Sequence, residues 1–228
     1  MAEVVTQKAA KLDLKVARKL LTDGTFFGMT RAGAFNGFVK GYLDRANGEV
    51  NWEELVSEIK ELAGVDTIGL INSYGSASIT IASNWAKEDL NAAMAWYVDD
   101  SLRDYGNSFH CAQVASILGL LPSSEIHRAV DWIGEQRDQE GWNDIVIQEY
   151  ARHMALRLDF LGPEVERLLG FLPDEMTRSK FVDRFVTAKN PGGKERKFTD
   201  QELVRLIDAS GFSDAQTSAS LRKIKLSK

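Results

Sequence analysis

Any metal site or nucleophilic centre in this chain would draw first on three histidines, His110, His127 and His153, and on one cysteine, Cys111. A metal needs ligands that converge, and none of the histidines stands at a ligand spacing from another or from Cys111. His110 and Cys111 are sequence neighbours, and on a helix adjacent side chains point about 100° apart. A Cys111–His153 pair would supply a thiol and a base if two helices brought them together, yet no acid to orient the base and no oxyanion hole accompanies it. The glycine-rich stretch Asn190-Pro191-Gly192-Gly193-Lys194 lacks the full pattern that cradles phosphate. The expectation is a chain that is not an enzyme, with no catalytic residues, no metal and no cofactor.

Charge is more telling than these groups. The net charge is -5, but residues 51–177 hold 22 acidic and 8 basic side chains, whereas 1–50 and 178–228 together hold 11 acidic and 20 basic. Middle and ends therefore carry opposite signs, which bears on association rather than on fold. Within the middle, Asp99 and Asp100, then Glu135 and Asp138, then Asp174 and Glu175 recur at regular intervals. Set on a repeated unit they would line one edge, an acidic ridge able to receive a basic protein segment, with pairing that speeds association and sets register. Polar turns account for the same letters. That reading keeps the larger share, although carboxylates trailing a helix oppose its dipole and the recurring cost shifts the balance towards use. Towards the other end of the sequence Lys189, Lys194, Arg196 and Lys197 crowd the glycine-rich connection, and Arg222, Lys223 and Lys225 follow. A solvated, exposed connection accounts for the first group, which could also meet an acidic protein; together these are the candidate nucleic-acid contacts.

Elements that could position such groups read as helices. The one β-branched cluster, DTIGLINSYGSASITIAS, runs on into Ala82, Trp85 and Ala86 at helical spacing. Breaks are signalled at Asp23-Gly24-Thr25, Asn47-Gly48, Leu121-Pro122-Ser123-Ser124, Gly162-Pro163, Leu172-Pro173-Asp174 and Asn190-Pro191-Gly192-Gly193. A lone cysteine cannot form an internal disulfide, the start has no signal-peptide core, and no apolar stretch reaches bilayer length. These features predict a cytoplasmic protein with no membrane contact.

Helical spacing also exposes a period. Ala93, Trp96 and Tyr97 form an i, i+3, i+4 stripe, which Ala129, Trp132 and Ile133 repeat 36 residues later and Val165, Leu168 and Leu169 repeat 36 beyond that. Looser copies sit at Val56 and Ile59 and at Leu203, Leu206 and Ile207. Between the stripes lie pairs of small residues four apart, Ala82 and Ala86, Ala115 and Gly119, Ala151 and Ala155, each a flat patch that lets another helix approach. Two helices per period of about 36 residues, joined by short turns, predict an all-α fold: an α-solenoid of helical hairpins in a right-handed stack, the alternative being an irregular helical bundle whose spacing is accidental.

The run Trp85-Ala86-Lys87-Glu88-Asp89-Leu90-Asn91-Ala92-Ala93-Met94-Ala95-Trp96 resembles the recurring unit of poorly characterised bacterial helical-repeat proteins, roughly Trp-Ala-x-x-Asp-Pro-x-x-Ala-x-x-Trp. Leu90 stands where that pattern has proline, and Pro163 falls one place late in a later unit. The resemblance covers about 80–175 and implies a repeat fold of tetratricopeptide-like architecture, with no established chemistry. Separately, 198–226 reads as helix, glycine turn, helix, and Gly211-Phe212-Ser213-Asp214 resembles the turn of the DNA-binding helix-turn-helix of the arabinose-regulator class. Ser218 stands where that class has a buried aromatic and Ile207 where it has a small residue, so a last repeat with a basic tail is preferred.

The expected organisation is an N-terminal helical cap over 1–50, an acidic helical-repeat core over 51–177 and a basic C-terminal helical cap over 178–228, together one continuous unit. The expected function is a non-enzymatic scaffold or adaptor that binds another macromolecule, a protein, through the repeat surface. The alternative is a nucleic-acid-associated subunit that uses the basic ends.

Overall fold

The structure, a computed structural model, describes residues 1–65, 70–71, 73–98, 108–136, 142–156, 162–188 and 198–213. The chain is all-α, with no strand among the described residues. It divides into two compact units, Met1–Leu102 and Arg103–Lys228.

The first unit contains α1 (Ala2–Leu12), α2 (Leu14–Thr22), α3 (Gly28–Ala46), α4 (Trp52–Ala63), α5 (Gly75–Glu88) and α6 (Leu90–Tyr97). Two of its hinges are single aspartates. Asp13 and Asp89 are extended, end the preceding helix and cap the next, with side chains accepting from the backbone N–H groups of Lys15 at 2.8 Å and Ala92 at 2.9 Å. The signalled breaks at Gly24 and at Asn47-Gly48 hold left-handed backbone, with φ of 77°, 56° and 96°, and Gly64 at 70° closes α4. Helix α3 is flanked by α1 and α5, and α2 lies against α4. Phe35, Phe38, Leu55, Ile59 and Ile81 are fully buried between them, and the Phe35 and Tyr74 rings meet with centroids 4.6 Å apart.

Contact between α1 and α3 is at backbone range. A Cβ on Gly37 would stand 2.1 Å from the Glu3 carbonyl oxygen, and one on Gly41 would stand 2.4 Å from that of Gln7. The four-residue spacing of Gly33, Gly37 and Gly41 is a small-residue line like those between the stripes.

The second unit contains α7 (Ser108–Gly119), α8 (Ile126–Glu135), α9 (Trp142–Ala155), α10 (Pro163–Phe171), α11 (Glu175–Val186) and α12 (Asp200–Ser210), with a short 3-10 turn at Ser123–Glu125 before α8. Helix α9 lies between α7 and α11, and α10 lies between α8 and α12. Pro163 takes the first position of α10, where its missing N–H has no intrahelical partner to lose. All the signalled breaks fall between helices except Asn190-Pro191-Gly192-Gly193, which lies outside the described residues.

The predicted stripes are interior. Ala129, Trp132 and Ile133, and Val165, Leu168 and Leu169, are buried. So are Val56 and Ile59, and Leu203, Leu206 and Ile207. One member differs: Trp96 is half-buried, packed against the core and beside the Trp85 ring, and it is Tyr97 next to it that goes fully inside. The small-residue pairs are buried as well. A Cβ on Gly119 of α7 would come within 2.5 Å of the His153 ring of α9, and one on Gly134 of α8 within 2.8 Å of Phe171 of α10. Ala151, fully buried on α9, has no room to grow, so Ala151→Leu should cost about 1–3 kcal/mol by overpacking. An unchanged thermal midpoint for that variant would show that α9 is not closely packed there.

Candidate functional site

Helix ends set the carboxylates of the second unit. Glu135 is the last residue of α8 and is exposed. One turn before it, Asp131 accepts from Arg167 of α10 at 2.7 Å. Asp174 and Glu175 were expected to trail the stripe at Leu168 as acids at a helix C-terminus. The structure corrects this: Leu172 and Pro173 end α10, and Asp174 is the N-cap of α11, with Glu175 its first residue. The dipole of α11 therefore favours them. The Asp174 side chain accepts from the Thr177 backbone N–H at 2.7 Å, and that N–H with the Thr177 hydroxyl holds its carboxyl below its ordinary pKa. Glu175 accepts from the Ser213 hydroxyl at 2.7 Å and backbone N–H at 2.8 Å, which lowers its pKa likewise.

A further carboxylate joins them. Asp144, in the first turn of α9, has its pKa raised, first by burial and then by the negative charge of Asp174, with Lys180 acting in the opposite direction. The beginnings of α9 and α11 thus bring Asp144 and Asp174 within electrostatic reach. Their 30-residue separation carries no local signal, which is why the sequence does not single out Asp144. Asp99, Asp100 and Asp138 lie outside the described residues. So do all the candidate nucleic-acid contacts, Lys189, Lys194, Arg196, Lys197, Arg222, Lys223 and Lys225. Of the helix-turn-helix-like segment, the first helix and Gly211, Phe212 and Ser213 of the turn are described, and Asp214 lies outside the described residues. Helix α12 begins in a reciprocal Thr199–Glu202 capping box, ends at Gly211 with φ 58°, and packs on α10 and α11.

The first unit holds a row of tryptophans that sequence spacing does not assemble. Trp52 of α4 stacks on Trp85 of α5, with ring centroids 6.0 Å apart and planes 7° from parallel. Trp96 of α6 follows at 6.1 Å, and Tyr97 at 6.1 Å from it. The Trp52 Nε1–H donates to Glu88 at 2.7 Å. Ring pairs of this kind contribute about 0.5–1.5 kcal/mol beyond area burial, and the row ties α4, α5 and α6 together. Trp85 and Trp96 keep part of their surface in solvent.

The side chains weighed for nucleophilic chemistry lie apart. Cys111 is fully buried, and burial pushes its thiol up to about 11, so it stays protonated at neutral pH. The His153 ring packs on Gly119, which lies roughly 12 Å beyond Cys111 along α7 at 1.5 Å per residue. Among the described residues no group of three or more His, Cys, Asp or Glu side chains could hold a metal ion, and no helix is long and apolar enough to cross a membrane. No family model, no curated protein and no solved structure matches this chain.

Proposed function

We propose that the chain is a non-enzymatic scaffold or adaptor, built of helical hairpins with a period of about 36 residues, that binds another protein through its acidic edge. What supports the repeat is the spacing of several polar contacts between helices, although those among α1 to α5 spread more widely, from Arg31–Leu62 at 31 residues to Asn36–Thr80 at 44. Trp52 meets Glu88 at a separation of 36 residues, Asp131 meets Arg167 at 36, Glu149 meets Arg184 at 35 and Glu175 meets Ser213 at 38. Helices that touch their counterparts one period on are what stacked hairpins produce, since each hairpin buries its apolar face only against the next. The resemblance to Trp-Ala-x-x-Asp-Pro units gains a physical meaning from the caps. An Asp-Pro pair is an N-cap followed by a first-turn proline, and Asp89 caps α6 while Pro163 opens α10.

Binding through the acidic edge rests on exposed Glu135 and Asp174, with Asp144 beside the latter, in a middle segment whose net charge is -14. A basic partner segment would gain long-range attraction and register from that edge. The test is affinity capture from the native host, with and without nuclease, comparing the natural chain with one carrying Asp99→Lys, Asp100→Lys, Glu135→Lys and Asp138→Lys. Asp174→Ser is added separately because serine keeps the cap of α11 while removing the charge. Nuclease-resistant partners should be lost from the charge-reversed chain while its melting is retained. Undiminished capture, or capture that nuclease abolishes, overturns the reading.

A further inference from the structure

The helix pair α1–α2, joined through Asp13 alone, leaves several aliphatic side chains half-exposed or more on its outer side. Its inner side is used: Thr6 and Ala10 of α1 and Ala17 and Leu21 of α2 are buried. On the outer side Val4, Lys8 and Leu12 follow one line along α1 at i, i+4 and i+8, with Val5 beside them. Lys15, Val16 and Lys19 of α2 are exposed too. Leu12 is 82% exposed, Val4 53% and Val16 50%. Single exposed aliphatics are ordinary, but several grouped on one hairpin mark an interaction surface.

The charge on this face is mostly positive, with exposed Asp13 at the α1–α2 junction and Asp23 acting electrostatically on Lys19. Lys8, Lys15 and Lys19 have no ion-pair partner among the described residues. The nearby acids are engaged elsewhere: Glu3 binds Lys40 at 2.7 Å and Asn36 at 3.1 Å, and Asp13 caps α2. The inner side shows what this hairpin pairs with. There Arg18 donates to Glu58 of α4 at 2.6 Å, and Lys11 lies 3.9 Å from Asp44 of α3, flanking the buried Ala10, Ala17 and Leu21. Aliphatic contact bordered by cation–carboxylate pairs holds these helices, with Lys11 and Arg18 supplying cations to α3 and α4 and Glu3 supplying a carboxylate to Lys40. Helix α4 is a complement of that kind, with Leu55, Val56 and Ile59 buried and Glu53, Glu54 and Glu58 around them.

We propose that the outer face of α1 and α2 docks an acidic amphipathic helix of a partner protein, its aliphatic stripe against Val4, Leu12 and Val16 and its carboxylates on Lys8, Lys15 and Lys19. This is a different surface from the acidic edge and takes a partner of opposite charge, so it does not depend on that reading. A second copy presenting the same face would set lysine against lysine, which disfavours a two-fold pairing. Phosphates of a nucleic acid would leave the aliphatics without a partner. An anionic bilayer would attract the lysines, but Lys8 sits between Val4 and Leu12 in the apolar line, where a carboxylate serves it and acyl chains do not.

The full chain would be used to select from a displayed library of helical peptides about four turns long, and the enriched peptides measured for affinity. Enrichment should favour an aliphatic i, i+3, i+4, i+7 stripe bordered by Asp and Glu. Such peptides should bind a chain carrying Lys8→Glu, Lys15→Glu and Lys19→Glu at least about tenfold more weakly, a loss of about 1.4 kcal/mol. Leu12→Asp should weaken them similarly, and peptides with lysine in place of their acids should prefer the triple variant. All these positions are exposed, and unchanged melting would be verified for each variant. No enrichment, enrichment without acidic bias, or equal affinity for the triple variant overturns the proposal. So does binding of the chain to phosphatidylserine vesicles that the same substitutions abolish, since the face would then be a membrane contact.

Discussion

Trp132→Ala should lower the unfolding free energy of the Arg103–Lys228 unit by roughly 3–5 kcal/mol, the range for truncating a large aromatic in a packed core. Trp132 is 5% exposed on α8, between fully buried Ala129 and Ile133, and α8 lies on α10 through Gly134 and Phe171. Removing the indole leaves a cavity that the neighbouring helices fill only in part, since the glycine contact already sets how closely they approach. Urea denaturation followed by far-ultraviolet circular dichroism measures the change without relying on the deleted fluorophore. Trp96→Ala is the comparison: its half-buried ring should cost less. A loss below about 0.5 kcal/mol for Trp132→Ala, the size of an ordinary surface change, would remove Trp132 from the core and weaken the case for the period with it.

Gly37→Ala should be strongly destabilising although alanine is the better helix former. On propensity alone the change gains about 1 kcal/mol within α3. Against that, the new methyl would stand 2.1 Å from the Glu3 carbonyl oxygen and 2.8 Å from its carbon, and both belong to the backbone of α1. No rotamer change relieves such a contact, so α1 must move away from α3 as a whole. Doing so opens the Glu3–Lys40 and Glu3–Asn36 bonds and uncovers Thr6 and Ala10. The net cost is expected at the upper end of the overpacking range, about 3 kcal/mol. Gly33→Ala, one turn earlier, meets nothing within 4 Å and should be stabilising by about 0.4–1 kcal/mol. The pair of variants is read by thermal melting together with hydrogen exchange in α1. Equal behaviour of the two would mean that α1 does not lie where Gly37 meets it.

The sequence alone settles the all-α class, most of the breaks and the buried stripes, because each depends on residues within one or two turns of each other. A stripe at i, i+3, i+4 is a property of one helix, and Pro163, Gly24 and Asn47-Gly48 act on their own backbone. The hinges at Asp13 and Asp89 also act locally, as capping residues, but an aspartate among charged neighbours gives no distinctive signal and the sequence reading does not mark them. Spacing fixes the phase of a helix face and leaves open what that face meets. Asp174 as the cap of α11 is local too, its carboxylate bonding Thr177 three residues on after the break at Leu172-Pro173, but only the tertiary structure sets Asp144 near it. It also stacks Trp52 on Trp85 and brings Gly37 against the backbone of α1. Each of these pairs residues on different helices, and their distance is decided by how helices pack rather than by any periodicity along the chain. The lysines and aliphatics of the first hairpin were in plain view as letters. What the fold adds is that Ala10, Ala17 and Leu21 are taken by the interior while Val4, Leu12 and Val16 are left outside, since a helix has two sides and packing uses one of them.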